Sequence, residues 1–152
     1  MEAFESDPLR EPLALCVAPA LEPLIALGEL DRAERLLDGF EGKARELDRV
    51  SALATGARCR GLLLAARGDL RGAQAALERA LAQHVRIEMP FELGRTLLVD
   101  GQTRRRRRQK RAVRESLARA LALFEPMGGR LWAQRARRAC PARTTLDAHP
   151  TS

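Results

Sequence analysis

Aromatic residues are rare in this sequence: Phe, Trp and Tyr together make up 3% of its 152 residues, and Tyr is absent. Aromatic and β-branched residues favour strands, whereas Ala, Leu, Arg and Glu, which are abundant here, favour helices. The composition therefore predicts an all-α protein. Its length and its 45% of apolar residues fit one domain with a buried core.

Cysteine and histidine are also scarce. Cys16, Cys59 and Cys140 form no CxxC pair, and an odd number of cysteines suits no disulfide framework. His84 and His149 are the only histidines, and nothing around them has the spacing of zinc ligands. We therefore expect no disulfides, no metal and no cofactor.

Long apolar segments are missing as well. Runs such as residues 62–66 (LLLAA) are far too short to cross a bilayer. The N-terminal MEAFESDPLREP is acidic and lacks the basic-then-apolar order of a signal peptide. We expect a cytoplasmic protein that makes no membrane contact.

No group of residues has the pattern of a catalytic site. Ser51 and Ser116 lack His and Asp companions in a recognisable arrangement. No GxxxxGK[ST] phosphate loop occurs anywhere in the chain. We expect no enzymatic activity.

The most informative feature of the sequence is a repeat of 40 residues. The positions that define it are Gly28 and Gly68, Ala33, Ala73 and Val113, Leu37, Leu77 and Leu117, and Gly61 and Gly101. Their spacing within one copy places the apolar residues on one helix face. A small residue at 61 or 101 would let a second helix approach closely, and Gly68 would end a helix that Asp69 then follows as a cap. In the third copy Arg108 replaces the turn glycine.

The repeat predicts antiparallel helical pairs that must stack to bury their apolar faces. Helices are expected near residues 13–27, 30–47, 51–67, 70–86, 91–105, 109–124 and 130–139. Four prolines, Pro8, Pro12, Pro19 and Pro23, lie in or before the first of these helices, and proline disfavours a helix interior. The predicted fold is a short right-handed α-solenoid of tetratricopeptide-like hairpins, about three pairs plus a capping helix. Residues 1–12 and 140–152 are expected to be disordered, and residues 13–139 to form the domain.

Three phrases resemble a specific family. They are LIALGELDRAERLLDGFE, ARCRGLLLAARGDLRGAQAALERALAQH and MPFELGRTLLVDGQTRRRRRQKRAVRESLARALALFEPMGGRLWAQRARR. Together they are similar to the C-terminal repeat region of LuxR-family transcriptional regulators of the MalT-like class. The resemblance implies relatives with an ATPase module, a repeat region and a DNA-binding helix-turn-helix. This sequence lacks the phosphate loop, and CPARTTLDAHPTS stands where the helix-turn-helix would begin, so the expectation is a shortened regulator or a remnant without function.

A basic cluster lies in the third copy. It consists of Arg104, Arg105, Arg106, Arg107, Arg108, Lys110 and Arg111. Residues 1–76 carry 10 basic and 13 acidic groups (−3) and residues 77–152 carry 17 and 7 (+10), so the two halves differ in charge. The cluster is interpreted first as a charged turn in water, and otherwise as a contact for an acidic protein surface or for nucleic-acid phosphates.

Two further side chains have alternative interpretations. His84 fits a packed histidine better than a catalytic one. Trp132 fits the core, or an anchor for a partner near an open edge.

The predicted function is protein binding or self-association. Self-association is expected because the array would expose an uncapped N-terminal end. The alternative is nonspecific nucleic-acid binding through the basic cluster.

Overall fold

A computed structural model of the chain describes residues 17–140. These residues form α-helices joined by short turns and contain no strand. In chain order the helices are α1 (Ala18–Ala26), α2 (Leu30–Glu46), α3 (Val50–Ala66), α4 (Leu70–His84), α5 (Pro90–Arg106), α6 (Lys110–Phe124) and α7 (Arg130–Ala139). The prediction of an all-α protein is confirmed.

The helix boundaries follow the 40-residue repeat. The even-numbered helices begin at residues 30, 70 and 110, and α3, α5 and α7 begin at 50, 90 and 130. The odd-numbered helices α1, α3 and α5 end at 26, 66 and 106. The period read from the sequence is therefore also the period of the backbone.

The helix predicted over residues 13–27 is present over Ala18–Ala26, and residues 13–16 lie outside the described part of the chain. Pro19 lies in the first turn, where the missing N–H costs no intrahelical bond. Pro23 lies inside the helix. Disorder is expected from the sequence at residues 1–12 and 140–152; of these only Cys140, the C-cap of α7, is described. The environment of Cys16 also lies outside the described residues.

Left-handed residues end the odd-numbered helices α1, α3 and α5. Gly28, Gly68 and Arg108 have φ values of 81°, 86° and 60°. At each of them two backbone hydrogen bonds close the helix; Arg108 N–H donates to Arg105 O at 3.0 Å, and the N–H of the next residue donates to Arg104 O at 3.0 Å. This is the Schellman pattern, for which glycine is best suited. Arg108 thus takes the backbone conformation of the glycine that it replaces.

The helical pairs approach closely at the two predicted small residues. A Cβ added to Gly61 would lie 2.7 Å from Leu77 Cγ, and one added to Gly101 would lie 2.6 Å from Leu117 Cδ2. Gly94, seven residues before Gly101, faces Phe124, seven residues after Leu117. The two helices of this pair therefore run antiparallel.

Equivalent positions of the three copies are buried. The set comprises Ala33, Ala73 and Val113, then Leu37, Leu77 and Leu117, then Phe40, Ala80 and Ala120, and finally Ala44, His84 and Phe124. These residues face the odd-numbered helices, so the apolar stripe of each even-numbered helix forms the core. Among the turns, Asp69 accepts a hydrogen bond from Gly72 N–H at 2.9 Å and caps α4 as expected.

The helices form two rows. Each odd-numbered helix contacts the next one, α1 with α3, α3 with α5, and α5 with α7. Each even-numbered helix packs against the two odd-numbered helices that flank it in sequence. One continuous surface is consequently built from the odd-numbered helices alone.

Candidate functional site

The structure uses several side chains of the basic cluster for internal contacts. Arg104 Nε donates to Asp100 Oδ2 at 2.7 Å, and Ser116 Oγ donates to the same oxygen at 2.6 Å. Asp100 is only 1% exposed, and its Oδ1 has no hydrogen-bond partner among the described residues. Arg104 therefore neutralises a buried carboxylate between α5 and α6.

Two further arginines of the cluster contact the preceding helical pair. Arg106 donates to the main-chain oxygen of Ala65 at 2.7 Å, near the C-terminus of α3, where a cation is favourable. Arg107 donates to Gln74 of α4. Forty residues earlier, Arg67 forms an ion pair with Glu34 at 2.7 Å, so the same inter-pair contact occurs twice.

The remaining members of the cluster face outward to different degrees. Arg105 reaches the main-chain oxygen of Ala139 at 3.5 Å. Arg111 forms an exposed ion pair with Glu115 at 3.2 Å. Arg108 and Lys110 are exposed at the turn between α5 and α6. The structure thus does not bring the seven side chains together on one open surface.

A larger concave site lies on the odd-numbered helices, and we call it the odd-helix groove. It has a volume of about 720 Å³, which is within the range of ligand-binding sites. Its lining comprises Ala18, Pro19, Glu22, Pro23, Ile25 and Ala26 of α1, Thr55, Arg58 and Leu62 of α3, Glu92 and Arg95 of α5, and Trp132 and Arg135 of α7. No even-numbered helix contributes to it.

A partly buried ion-pair network forms the floor of the odd-helix groove. Arg58 is 1% exposed, and it donates to Glu22 Oε1 at 3.1 Å and to Glu92 Oε2 at 2.8 Å. Arg95 contacts the same two carboxylates, at 2.9 Å and 3.2 Å respectively. Glu22, Glu92 and Arg95 are partly exposed, so Arg58 is the buried charge that the two carboxylates compensate. The network therefore fixes the relative positions of α1, α3 and α5.

Charge and burial oppose each other within this network. Burial by itself would raise the pKa of Glu92, but the guanidinium groups of Arg58 and Arg95 outweigh it and lower that pKa below its ordinary value. Burial would lower the pKa of Arg95, and the carboxylates of Glu22 and Glu92 raise it instead. These two side chains thus remain ionised at neutral pH.

His84 lies beside the network as a packed residue. Its Nε2 is 3.0 Å from Thr96 Oγ1, which itself donates to the main-chain oxygen of Glu92 at 3.1 Å. Nε2 is therefore the donor, and Nδ1 is left buried without a partner among the described residues. Burial lowers the pKa of His84, and the charge of Arg58 lowers it further. The position suits a neutral imidazole rather than an acid–base catalyst at an open surface.

Trp132 forms the wall of the groove at α7. Its ring centroid lies 5.8 Å from that of Phe91 and 5.9 Å from that of Phe124. The guanidinium carbons of Arg95 and Arg135 lie 5.0 Å and 4.7 Å from the same centroid. The two aromatic neighbours hold the indole in place, and the two arginines make it part of a cationic surface.

Sequence reasoning missed the groove, although the repeat held a signal for it. Thr55, Arg95 and Arg135 are 40 residues apart, as are Glu92 and Trp132, and all five line the groove. These five residues are polar or amphipathic. The repeat was defined only from the small and apolar residues of the helices. Only Trp132 was singled out, as a core residue or partner anchor.

Other candidate chemistry is limited within the described part of the chain. Burial raises the pKa of the Cys59 thiol to about 12, whereas Cys140 is exposed. Between residues 17 and 140 no cluster of three or more His, Cys, Asp or Glu side chains could hold a metal ion. No helix in that range is long and apolar enough to cross a membrane.

Comparison of the chain with protein-family models, with curated proteins and with solved structures finds no match.

Proposed function

We propose that this chain is a non-enzymatic helical-repeat module that binds another protein in the odd-helix groove. The observation that carries the proposal is the lining of that groove, which comes entirely from four successive odd-numbered helices. A row of equivalent helices presents the same surface positions again and again, so it offers a long, continuous binding face.

The proposed architecture is a short right-handed α-solenoid of tetratricopeptide-like pairs. It is supported by the common 40-residue spacing of the helix boundaries and by the matched close approaches at Gly61 and Gly101. In this architecture the odd-numbered helices line the inner face. Helix α7 then serves as the cap, since its outer residues Gln134, Arg137 and Arg138 are polar and exposed.

From the resemblance to MalT-like LuxR-family regulators, we propose that this binding serves transcription regulation. In such proteins the repeat region would receive a signal or partner and pass it to the DNA-binding module. For this chain the proposal extends to the receiving part and to its oligomerisation.

The proposal is tested by selecting ligands from a random peptide library displayed on phage, with the full-length protein as bait. We expect enriched peptides that lose binding to Ala26→Glu, because this exposed side chain lies at the apolar end of the groove. The same peptides should keep binding to Arg114→Glu, which alters an exposed residue of α6 outside the groove. Enriched peptides that bind both variants equally would show that the groove is not the binding site.

Nonspecific nucleic-acid binding through the basic cluster is the second proposal, and less supports it. Arg104, Arg106 and Arg107 already contact Asp100, Ala65 and Gln74. Single-strand modules also combine basic grooves with aromatic stacking platforms. Among residues 17–140 the aromatic side chains lie in the core or at the odd-helix groove; they are Phe40, Phe91, Phe124 and Trp132.

A further inference from the structure

The odd-helix groove has two chemically different ends. The side formed by α1 and α3 includes Pro19, Pro23, Ala26 and Leu62, beside the polar residues Glu22, Thr55 and Arg58. The opposite end presents Arg95, Trp132 and Arg135 from α5 and α7. A ligand that fills the whole groove must therefore be apolar at one end and complementary to guanidinium groups at the other.

The cationic end carries more positive charge than the groove itself neutralises. Glu22 and Glu92 are shared between Arg58 and Arg95. Arg135 is exposed and lies over the face of Trp132, and it has no carboxylate partner among the described residues. The Nε of Arg95 is buried and also lacks an acceptor there. The groove therefore holds three guanidinium groups and two carboxylates, and one or more anionic groups of a ligand would balance the excess positive charge.

The cationic end is also preorganised. Trp132 is fixed by edge contact with Phe91, and both Arg95 and Arg135 lie against the indole ring. Arginine side chains held on an aromatic face lose less conformational entropy when a carboxylate binds them. A carboxylate that approaches the edge of either guanidinium can accept charge-assisted hydrogen bonds.

The extent of the groove favours a peptide over a small acid. The groove is lined by four helices and has a volume of about 720 Å³. An extended peptide, which rises about 3.3 Å per residue, can contact all four helices at once. A single small carboxylate would occupy only the end formed by α5 and α7.

We propose that the odd-helix groove binds an extended peptide segment with aliphatic residues against α1 and α3 and acidic residues against Arg95 and Arg135. This deepens the proposed function, on which it rests, by stating the chemistry of the partner. The acidic groups supply the anions that Arg135 lacks, and the aliphatic groups cover the proline-rich surface of α1.

Trp132 allows the proposal to be tested at the site itself, since it is the one tryptophan in the sequence and Tyr is absent. The probe is an unlabelled octapeptide, LVLAGEDE, titrated into the full-length protein while tryptophan emission is recorded. We expect a saturable change in emission, and none with the counterpart LVLAGKKK. Arg135→Glu should weaken the octapeptide at least about fivefold, the combined effect of losing an exposed ion pair and adding repulsion.

Arg138→Glu is the matched control, because it makes the same charge change on α7 at an exposed residue that does not line the groove. Its affinity for LVLAGEDE should stay within about twofold of the parent. An equal loss of affinity for LVLAGEDE in the two variants would mean that net charge alone causes the effect, and it would overturn the proposal. Tight binding of the lysine peptide would do the same.

Further outcomes identify other occupants and separate the two proposals. If citrate gave the same emission change with the same affinity as LVLAGEDE, the site would be a small-anion site. If Glu5→Lys with Asp7→Lys raised the affinity tenfold, the acidic N-terminal segment of the chain itself would be the occupant. Either result overturns the peptide proposal. If library peptides without acidic residues bind the groove and LVLAGEDE does not, this inference fails and the proposed function survives; if no peptide binds, both fail.

Discussion

Arg108 occupies a backbone conformation that costs an ordinary residue free energy. At φ 60° its Cβ is close to the carbonyl oxygen that follows, which costs about 1–2 kcal/mol for an L-residue other than glycine. The sequence identified this position as the place of a missing glycine. It could not show whether the turn would change or the arginine would accept the strain; the backbone hydrogen bonds of Arg108 show that the turn is kept.

Replacing Arg108 with glycine should therefore stabilise the fold. We expect Arg108→Gly to raise the free energy of unfolding by about 1 kcal/mol, measured by urea denaturation. Arg108→Ala is the control, because it removes the same charge and keeps the Cβ. If both variants were stabilised equally, relief of charge repulsion in the basic cluster rather than backbone strain would be the cause.

Single residues are also where sequence reasoning reached its limit. The buried carboxylate of Asp100 sits at the position of Arg60 in the preceding copy, and Arg60 pairs with three acidic residues of α2. The repeat thus keeps its backbone while it exchanges one polar network for another. Periodicity reports positions that stay alike, so networks made of unlike residues such as Arg58, Glu22 and Glu92 were not visible in it.

At the scale of helices the sequence was far more informative. The predicted boundaries of α2 to α7 differ from the observed ones by two residues or fewer. Helix positions depend on turn chemistry and on the spacing of buried residues, and both are local properties that a sequence displays. The groove arises from contacts between helices 40 residues apart, which no local pattern describes.

The close pairing of α5 with α6 depends on the absence of a side chain at Gly101. We expect Gly101→Ala to lower the free energy of unfolding by about 1–2 kcal/mol, because the new methyl group would overlap Leu117 in a packed core. Gly39→Ala is the control: it lies within α2, and its Cβ would have no neighbour within 4 Å. That variant should gain up to about 1 kcal/mol from helix propensity.

Urea unfolding followed by circular dichroism would measure both variants. Opposite signs are the expected result. A stabilised Gly101→Ala would mean that α5 and α6 are not as close as the distances between Gly101 and Leu117 indicate.

At the scale of the whole molecule, the excess of positive charge in residues 77–152 favours nucleic-acid binding. The internal contacts of the basic cluster reduce the number of its side chains that can contact phosphates. If all seven side chains of the basic cluster contacted phosphates, the slope of log K against log salt concentration would be about −6. Arg108 and Lys110 are the two side chains of the cluster without a partner among the described residues. If only these two contacted phosphates, the slope would be about −2.

Titration of a random-sequence DNA duplex at several salt concentrations would measure this slope, and we expect it to be no steeper than about −2. Arg108→Glu with Lys110→Glu should then remove most of the binding. Substitution of Arg106 or Arg107 is unsuitable because these side chains join α5 to the preceding pair. A slope near −6 would favour nucleic-acid binding as the function.

The two-row arrangement brings together side chains that lie far apart in the sequence. Glu22 and Trp132 line one groove, and the exposed apolar residues Leu27, Val85, Met127 and Leu131 are scattered over turns and the end of the array. Self-association through an exposed apolar end remains a prediction. Leu27, the C-cap of α1, belongs to the N-terminal end of the described helices, where such contacts would form.

The contact between Arg67 and Glu34 recurs as that between Arg107 and Gln74, and both span the junction between neighbouring pairs. Each of these contacts lies within one 40-residue unit, 30–69 or 70–109. Across the two boundaries of the second unit, Gly61 faces Leu77 and Gly101 faces Leu117. A second copy of this unit inserted after residue 109 would form, at both of its boundaries, contacts mostly like those already present. The odd-helix groove would then lengthen by one repeat. Duplication of the DNA that encodes this unit would therefore change the length of the groove.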